Sequence, residues 1–140
     1  MNYQKEILLK PYSRGFHLIT NIVENSLESV LDNIKIGILQ VFIKHTSASL
    51  TINENTDSTV RNDMDLFYND VVPENKSYYT HVYEGEDDMP AHIKNSIIGS
   101  SITIPITNGK FNLGTWQGIY LCEHRNFGGP RKISLTIIGE

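Results

Sequence analysis

The run "GILQVFIKHTSASLTI", Gly37 to Ile52, reads as one long β segment, rich in branched residues near both ends. A strand of this kind needs a sheet around it, so its neighbours must supply partner strands and covering helices. Within it, alternation places His45, Ser47 and Ser49 on one face and Thr46 and Ala48 on the other. One imidazole and two hydroxyls in a row could donate several hydrogen bonds to a phosphate or similar oxyanion. A polar strand face turned to solvent has the same pattern.

Towards the C-terminus, "STVRNDMDLFYNDVV" has Val60, Met64, Phe67 and Val71 spaced along one helical face, and Pro73 helps to stop it. "MPAHIKNSIIG" is a further helix, with Pro90 in its first turn, Ile93, Ile97 and Ile98 as its apolar face and Gly99 as its C-terminal cap. Three strand-like segments follow, "SSITIPI", "WQGIYLCEHR" and "RKISLTIIG", separated by the turn signals Asn108-Gly109 and Gly128-Gly129-Pro130. Towards the N-terminus, "NIVENSLESVLDNI" carries Ile22, Val23, Leu27, Val30, Leu31 and Ile34 as an amphipathic stripe, and Asn21 with Glu24 resembles a capping box. Two short strands, "YQKEILLK" and "GFHLIT", precede it. The expected architecture is one α+β domain over residues 1–140, a mixed but largely antiparallel sheet with about three short helices.

The chain has 140 residues, 39% hydrophobic and 20% charged, with a net charge of −4 and no basic block. That composition excludes a dedicated nucleic-acid binder, whose affinity needs clustered Lys and Arg. It leaves room for a small anionic substrate. No apolar run reaches the length of a membrane span, and the N-terminal dozen residues lack the apolar core of a signal peptide. Cys122 is the one cysteine, so no intramolecular disulfide can form. The expected location is the cytoplasm, with no membrane partner.

The stretch "EGEDDMPAH", residues 84–92, packs four carboxylates and a histidine into nine positions, with His81 just upstream. Asp88 suits the N-cap of the helix that follows, and acidic residues there favour the helix dipole. That reading does not account for His81 or His92. His92 lies four residues after Asp88, so a carboxylate and an imidazole can be neighbours at the helix start. A His/Asp/His cluster with His81 follows, although the spacing matches no standard zinc motif. In "WQGIYLCEHR", alternation puts Tyr120, Cys122 and His124 on one face and Glu123 and Arg125 on the other. Cys122 with His124 could ligate a metal or form a thiolate–imidazolium pair, and Cys122 also suits a buried small hydrophobe. "NLGTWQG" offers glycine backbone that a ligand could approach closely, or simply a tight strand entry.

The segments "HTSASLTINEN", "EGEDDMPAHIKNSIIGSSITIPITNGKFNLGTWQGIYLCEHR" and "RKISLTIIGE" resemble the YjbQ family, whose members are described as secondary thiamine-phosphate synthases. The likeness runs from about Gly15 to Glu140. It implies a compact α+β fold assembled as a homotrimer. It also implies a secondary ability to join hydroxymethylpyrimidine diphosphate to a thiazole phosphate, releasing pyrophosphate. The residues it marks are His45, Thr46, Ser47, Ser49, His81, Asp87, Asp88, His92, Trp116, Gln117, Glu123, His124 and Arg125, while Glu86 is variable among relatives.

Such a reaction needs a stabilised pyrophosphate leaving group, which a divalent ion (Mg or Zn) and cationic or hydroxyl donors can supply. The expected metal ligands are His81, Asp87, Asp88, His92 and Glu123. His45, Thr46, Ser47, Ser49, Gln117 and Arg125 are expected to bind the phosphorylated substrate, and His81, Asp88, His92 and His124 to carry proton transfer. Two other readings compete with this one: a metal-dependent enzyme acting on another phosphorylated metabolite, and a non-catalytic module that binds a small anion.

Overall fold

The computed structural model describes all residues from Met1 to Glu140. The chain forms β1 (Asn2–Leu9), β2 (Gly15–Leu18), α1 (Thr20–Ser26), α2 (Glu28–Leu31), β3 (Ile36–Ile43), β4 (Ala48–Glu54), α3 (Ser58–Val71), α4 (Asp88–Ile98), β5 (Ser101–Thr107), β6 (Lys110–Phe111), β7 (Gln117–Glu123) and β8 (Arg131–Gly139). Every strand pairing is antiparallel. A five-stranded sheet has the order β1-β8-β3-β5-β6, and a three-stranded sheet has the order β2-β7-β4. The fold is α+β, as expected, with four helices rather than three.

The run from Gly37 to Ile52 is not one strand. It breaks at Lys44–Ser47 and contributes β3 to the larger sheet and β4 to the smaller. The reason is parity. β3 buries the odd positions Leu39, Val41 and Ile43, whereas β4 must bury Ala48 and Leu50 in the same core. An unbroken strand would turn Ala48 and Leu50 away from that core, because side chains alternate strictly. The crossover shifts the phase by one residue. Side chains hold its backbone: Asn95 Nδ2 donates to the carbonyls of His45 (3.4 Å) and Ala48 (2.6 Å), and Arg131 donates to that of Ser47 (3.3 Å).

The main core lies between the two sheets. Leu39, Val41, Ile104, Ile106, Ile133, Leu135 and Ile137 of the larger sheet meet Ala48, Leu50, Ile119 and Leu121 of the smaller, with Val23, Leu27, Leu31 and Ile34 closing one end. The other face of the smaller sheet carries Phe16, Tyr120 and Cys122, packed against Leu18, Met64, Tyr68 and Ile98. The layers are therefore sheet, sheet, and the helices α3 and α4.

Four local expectations are corrected. The first helix breaks at Leu27 into α1 and α2, where the Ser26 hydroxyl donates back to the Val23 carbonyl (2.7 Å) and competes with the helical ladder. Asn21 and Glu24 form no capping box, since Ile19 occupies the N-cap position without a side-chain bond. The apolar contacts of α3 run through Met64 and Tyr68, while Phe67 and Val71 are exposed. In α4, the buried residues are Asp88, Pro90, Ala91 and Lys94, and Ile97 faces outward. A helix that buries an aspartate and a lysine in place of isoleucines has polar work at its base.

Candidate metal centre

Asp88 is the first residue of α4 and does not cap it. Asp87 holds the N-cap position, also without a side-chain capping bond. The Asp88 carboxylate instead points sideways and is 2% exposed. Its Oδ2 lies 2.6 Å from His81 Nε2 and 3.0 Å from His92 Nε2, and its Oδ1 accepts from Arg125 Nη1 at 2.7 Å. His92 stands one helical turn beyond Asp88, and His81 arrives from the long loop between α3 and α4. One ligand atom from each of His81, Asp88 and His92 lies within 4.8 Å of the other two.

His92 Nδ1 lies 2.8 Å from the Thr46 carbonyl, in the crossover between β3 and β4. A carbonyl can only accept, so Nδ1 must carry the proton. In neutral His92 the bare lone pair is then on Nε2, aimed at a carboxylate oxygen 3.0 Å away. Two acceptors facing each other repel unless a positive centre lies between them or the ring is protonated. A backbone carbonyl on one imidazole nitrogen, leaving the other free, is the usual outer arrangement of a metal-binding histidine. Two imidazole nitrogens and a carboxylate oxygen suit Zn²⁺ or a similar transition ion, and Mg²⁺ poorly, since it prefers oxygen ligands.

Burial by itself would raise the Asp88 pKa. The His81 hydrogen bond and the Arg125 guanidinium oppose it, and the carboxyl is held below its ordinary range. Asp87 behaves alike: burial opposes, but the Asn126 N–H (2.8 Å) and Arg125 Nε (3.1 Å) prevail. Arg125 also donates from Nη2 to the Glu84 carbonyl (2.8 Å). It thus ties the loop before α4 to the end of β7 and fixes the carboxylate in place.

The remaining expected site residues have other duties. Glu123 lies outside the three-ligand cluster: it is 1% exposed and forms a two-pronged ion pair with Arg131, Nε to Oε1 at 2.7 Å and Nη2 to Oε2 at 2.6 Å. Asp87 is held by Arg125 and Asn126 and stands outside the three-ligand cluster. His45 Nε2 accepts from the Lys132 N–H (2.8 Å), Thr46 contributes its carbonyl, and Ser47 Oγ accepts from Arg131 (3.0 Å). Ser49 Oγ lies 2.9 Å from His124 Nε2, in a fully buried position. These groups support the crossover and do not form the single phosphate-binding face that one unbroken strand implied. His124 is itself buried, which pushes its pKa down to about 3, so it is a neutral ring and a poor proton donor. Burial pushes the Cys122 thiol up, so Cys122 acts as a small hydrophobe. Gln117 lies at the far end of β7.

Sequence reasoning missed Lys94, Asn95 and Arg131. Lys94 is 3% exposed and donates to Asn69 Oδ1 at 2.7 Å, with its pKa lowered by burial and then by Arg14. Arg131 had a legible signal, since it shares the inward phase of β8 with Ile133, Leu135 and Ile137. Two concavities lie near or away from the cluster. One of about 250 Å³ has His81 on its wall beside Tyr79, Val82 and Met89. A larger one, about 790 Å³, lies over Ile36, Ile38 and Ile138 and contains none of the cluster's residues.

Fold and site together define an antiparallel α+β protein with a surface His–Asp–His cluster at the start of a helix. The family described as UPF0047 protein YjbQ-like matches residues 5–140, and the chain belongs to that family. It is 51% identical to the UPF0047 protein YjbQ of Escherichia coli O157:H7 over 140 residues, covering 100% of both chains. It is 45% identical to a UPF0047 protein of Methanocaldococcus jannaschii over 109 residues, 76% of this chain and 74% of that one. Among solved structures, a YjbQ/UPF0047 family protein of Clostridium acetobutylicum aligns with a TM-score of 0.84 at 41% identity, over 96% of this chain and 99% of that one. A protein of unknown function from Sulfolobus solfataricus aligns with a TM-score of 0.87 at 26% identity, over 100% and 99%. No helix is long and apolar enough to cross a membrane.

Proposed function

We propose that the chain is a metal-dependent enzyme acting on a small phosphorylated substrate, with His81, Asp88 and His92 holding a divalent transition ion such as Zn²⁺. The observation that carries this reading is the convergence of His81 Nε2 and His92 Nε2 on one Asp88 carboxylate oxygen, with the far nitrogen of His92 held by the Thr46 carbonyl. Ligands about 2.1 Å from a tetrahedral ion stand about 3.4 Å apart, so on loading the two rings would draw back from the Asp88 oxygen that they now approach to 2.6 and 3.0 Å. When bound, the ion would supply positive charge to a phosphate or diphosphate group. The chain's own residues do the rest: Arg125 fixes the carboxylate, Thr46 fixes the His92 ring, and half-exposed His81 leaves the cluster open to solvent.

The reaction supported by family resemblance is of the thiamine-phosphate synthase type. Hydroxymethylpyrimidine diphosphate loses pyrophosphate at its methylene carbon as the thiazole nitrogen attacks. A homotrimer belongs to the same reading, and we assign its contact to the outer face of the larger sheet, where Leu8, Ile36, Ile38, Phe42 and Ile138 are exposed.

Metal analysis of protein purified without chelator tests the centre, with about one equivalent of transition metal per chain expected. Asp88→Ala and His92→Ala should each lose the metal and the formation of thiamine phosphate while remaining folded by circular dichroism. A wild-type protein without metal or turnover, but with saturable phosphate binding, would overturn the enzyme in favour of an anion-binding module. Metal retained by both variants would remove these ligands from the assignment.

A further inference from the structure

A cleft of about 410 Å³ lies at the other end of β7 and shares no residue with the metal centre. A strand advances roughly 3.4 Å per residue, so Gln117 and Glu123 at the two ends of β7 are roughly 20 Å apart. Four segments meet in the cleft: Leu18 ends β2, Thr20 and Asn21 begin α1, Asn55 follows β4, and Thr115 and Gln117 lead into β7. They converge over Gly118. A Cβ there would come 2.7 Å from Leu18 Cδ2 and 2.9 Å from Asn55 Cβ. Only a glycine allows the walls to approach so closely.

The polar groups of the cleft are fixed before any ligand arrives. Asn55 Nδ2 donates to the carbonyls of Thr115 (3.2 Å) and Gln117 (3.0 Å), and its Oδ1 accepts from the Thr56 hydroxyl (2.7 Å). Gln117 Oε1 accepts from the Gly114 N–H (2.8 Å), which orients the carboxamide and leaves both Nε2 protons to donate elsewhere. Thr20 Oγ1 accepts from the Ile119 N–H (2.8 Å) and keeps its own proton to donate. Donors therefore stand in a rigid frame beside apolar Leu18. No lining residue carries a charge, so an anion would meet no cation to offset the loss of its water.

We propose that this cleft is a second binding site, for a small neutral molecule that carries carbonyl or ring-nitrogen acceptors. The assignment is independent of the metal centre and stands if that centre fails. Uracil and pyrimidine, titrated into the full-length ¹⁵N-labelled protein, are the neutral probes, and inorganic phosphate is the charged comparison. Both neutral probes should shift the Gln117 side-chain amide saturably, leaving the His81 and His92 resonances unmoved. Gln117→Glu keeps the Oε1 acceptor for Gly114 but replaces the two donors with a charge. It should bind uracil about tenfold or more weakly, the loss of about one good hydrogen bond. Three results would overturn the site: no saturable shift with either neutral probe at tens of millimolar, phosphate moving the same resonances as strongly, or unchanged binding in Gln117→Glu.

Discussion

Glu123 and Arg131 show what a single residue can cost in this fold. Their side chains are 0% and 4% exposed, and each satisfies the other inside the protein. Removing one partner leaves the other charge buried without compensation, a loss of roughly 3–5 kcal/mol. Glu123→Gln should therefore lower the denaturation midpoint sharply in urea titrations, and a midpoint near that of the wild type would show that Arg131 reaches water. His124 gives a second residue-scale expectation, in pH. Its folded pKa is depressed to about 3, whereas an unfolded histidine titrates near 6.5. Between those values the unfolded chain takes up a proton that the folded chain refuses, so stability is complete above pH 6.5 and falls on acidification. The slope from this one ring is up to about 1.4 kcal/mol per pH unit. Unfolding free energies of His124→Gln, measured from pH 7 to 4, should be correspondingly flatter. Equal slopes would mean that the ring becomes protonated in place.

At the scale of elements, the pairing of β3 with β8 depends on two glycines set directly opposite each other, Gly37 and Gly139. A Cβ on Gly139 would meet the Ile36 carbonyl oxygen at 2.6 Å and Gly37 Cα at 2.7 Å. Those are backbone atoms, which cannot swing aside as a flexible side chain can. Gly139→Ala should destabilise by about 1–3 kcal/mol, as overpacking does, read as a lower melting temperature. An unchanged melting temperature would mean that the strand ends separate freely. The same scale explains why α4 carries the site. Asp88 and Lys94 are buried on a helix whose Asn95 and His92 also hold the carbonyls of the crossover between β3 and β4. The site and the break in the sheet strand are thus one construction. The crossover was the feature least visible beforehand, because a run of branched residues has the same local preference whether it pairs in one sheet or two.

For the whole molecule, two sheets and a helical layer bury both faces of the smaller sheet and leave the outer face of the larger sheet apolar in places. Ile36 is 75% and Ile138 56% exposed, beside Ile38 and Phe42. If the proposed trimer uses this face, light scattering will give three copies for the wild type, and Ile38→Glu will shift it to the monomer. A wild-type monomer would put the contact out of consideration. The sequence by itself determined the α+β class, the helix at residues 58–71 and most core strands, because alternation and helical spacing are local properties of the chain. It also paired Asp88 with His92, since residues four apart on a helix are neighbours wherever the cap falls. Only the tertiary structure decided which polar residues join them. Glu123 and Asp87 went to arginines, Ser47 and Ser49 to buried partners, and Gln117 to the opposite end of its strand. A buried charge takes whichever opposite charge the packing brings to it, and no spacing along the chain encodes that choice.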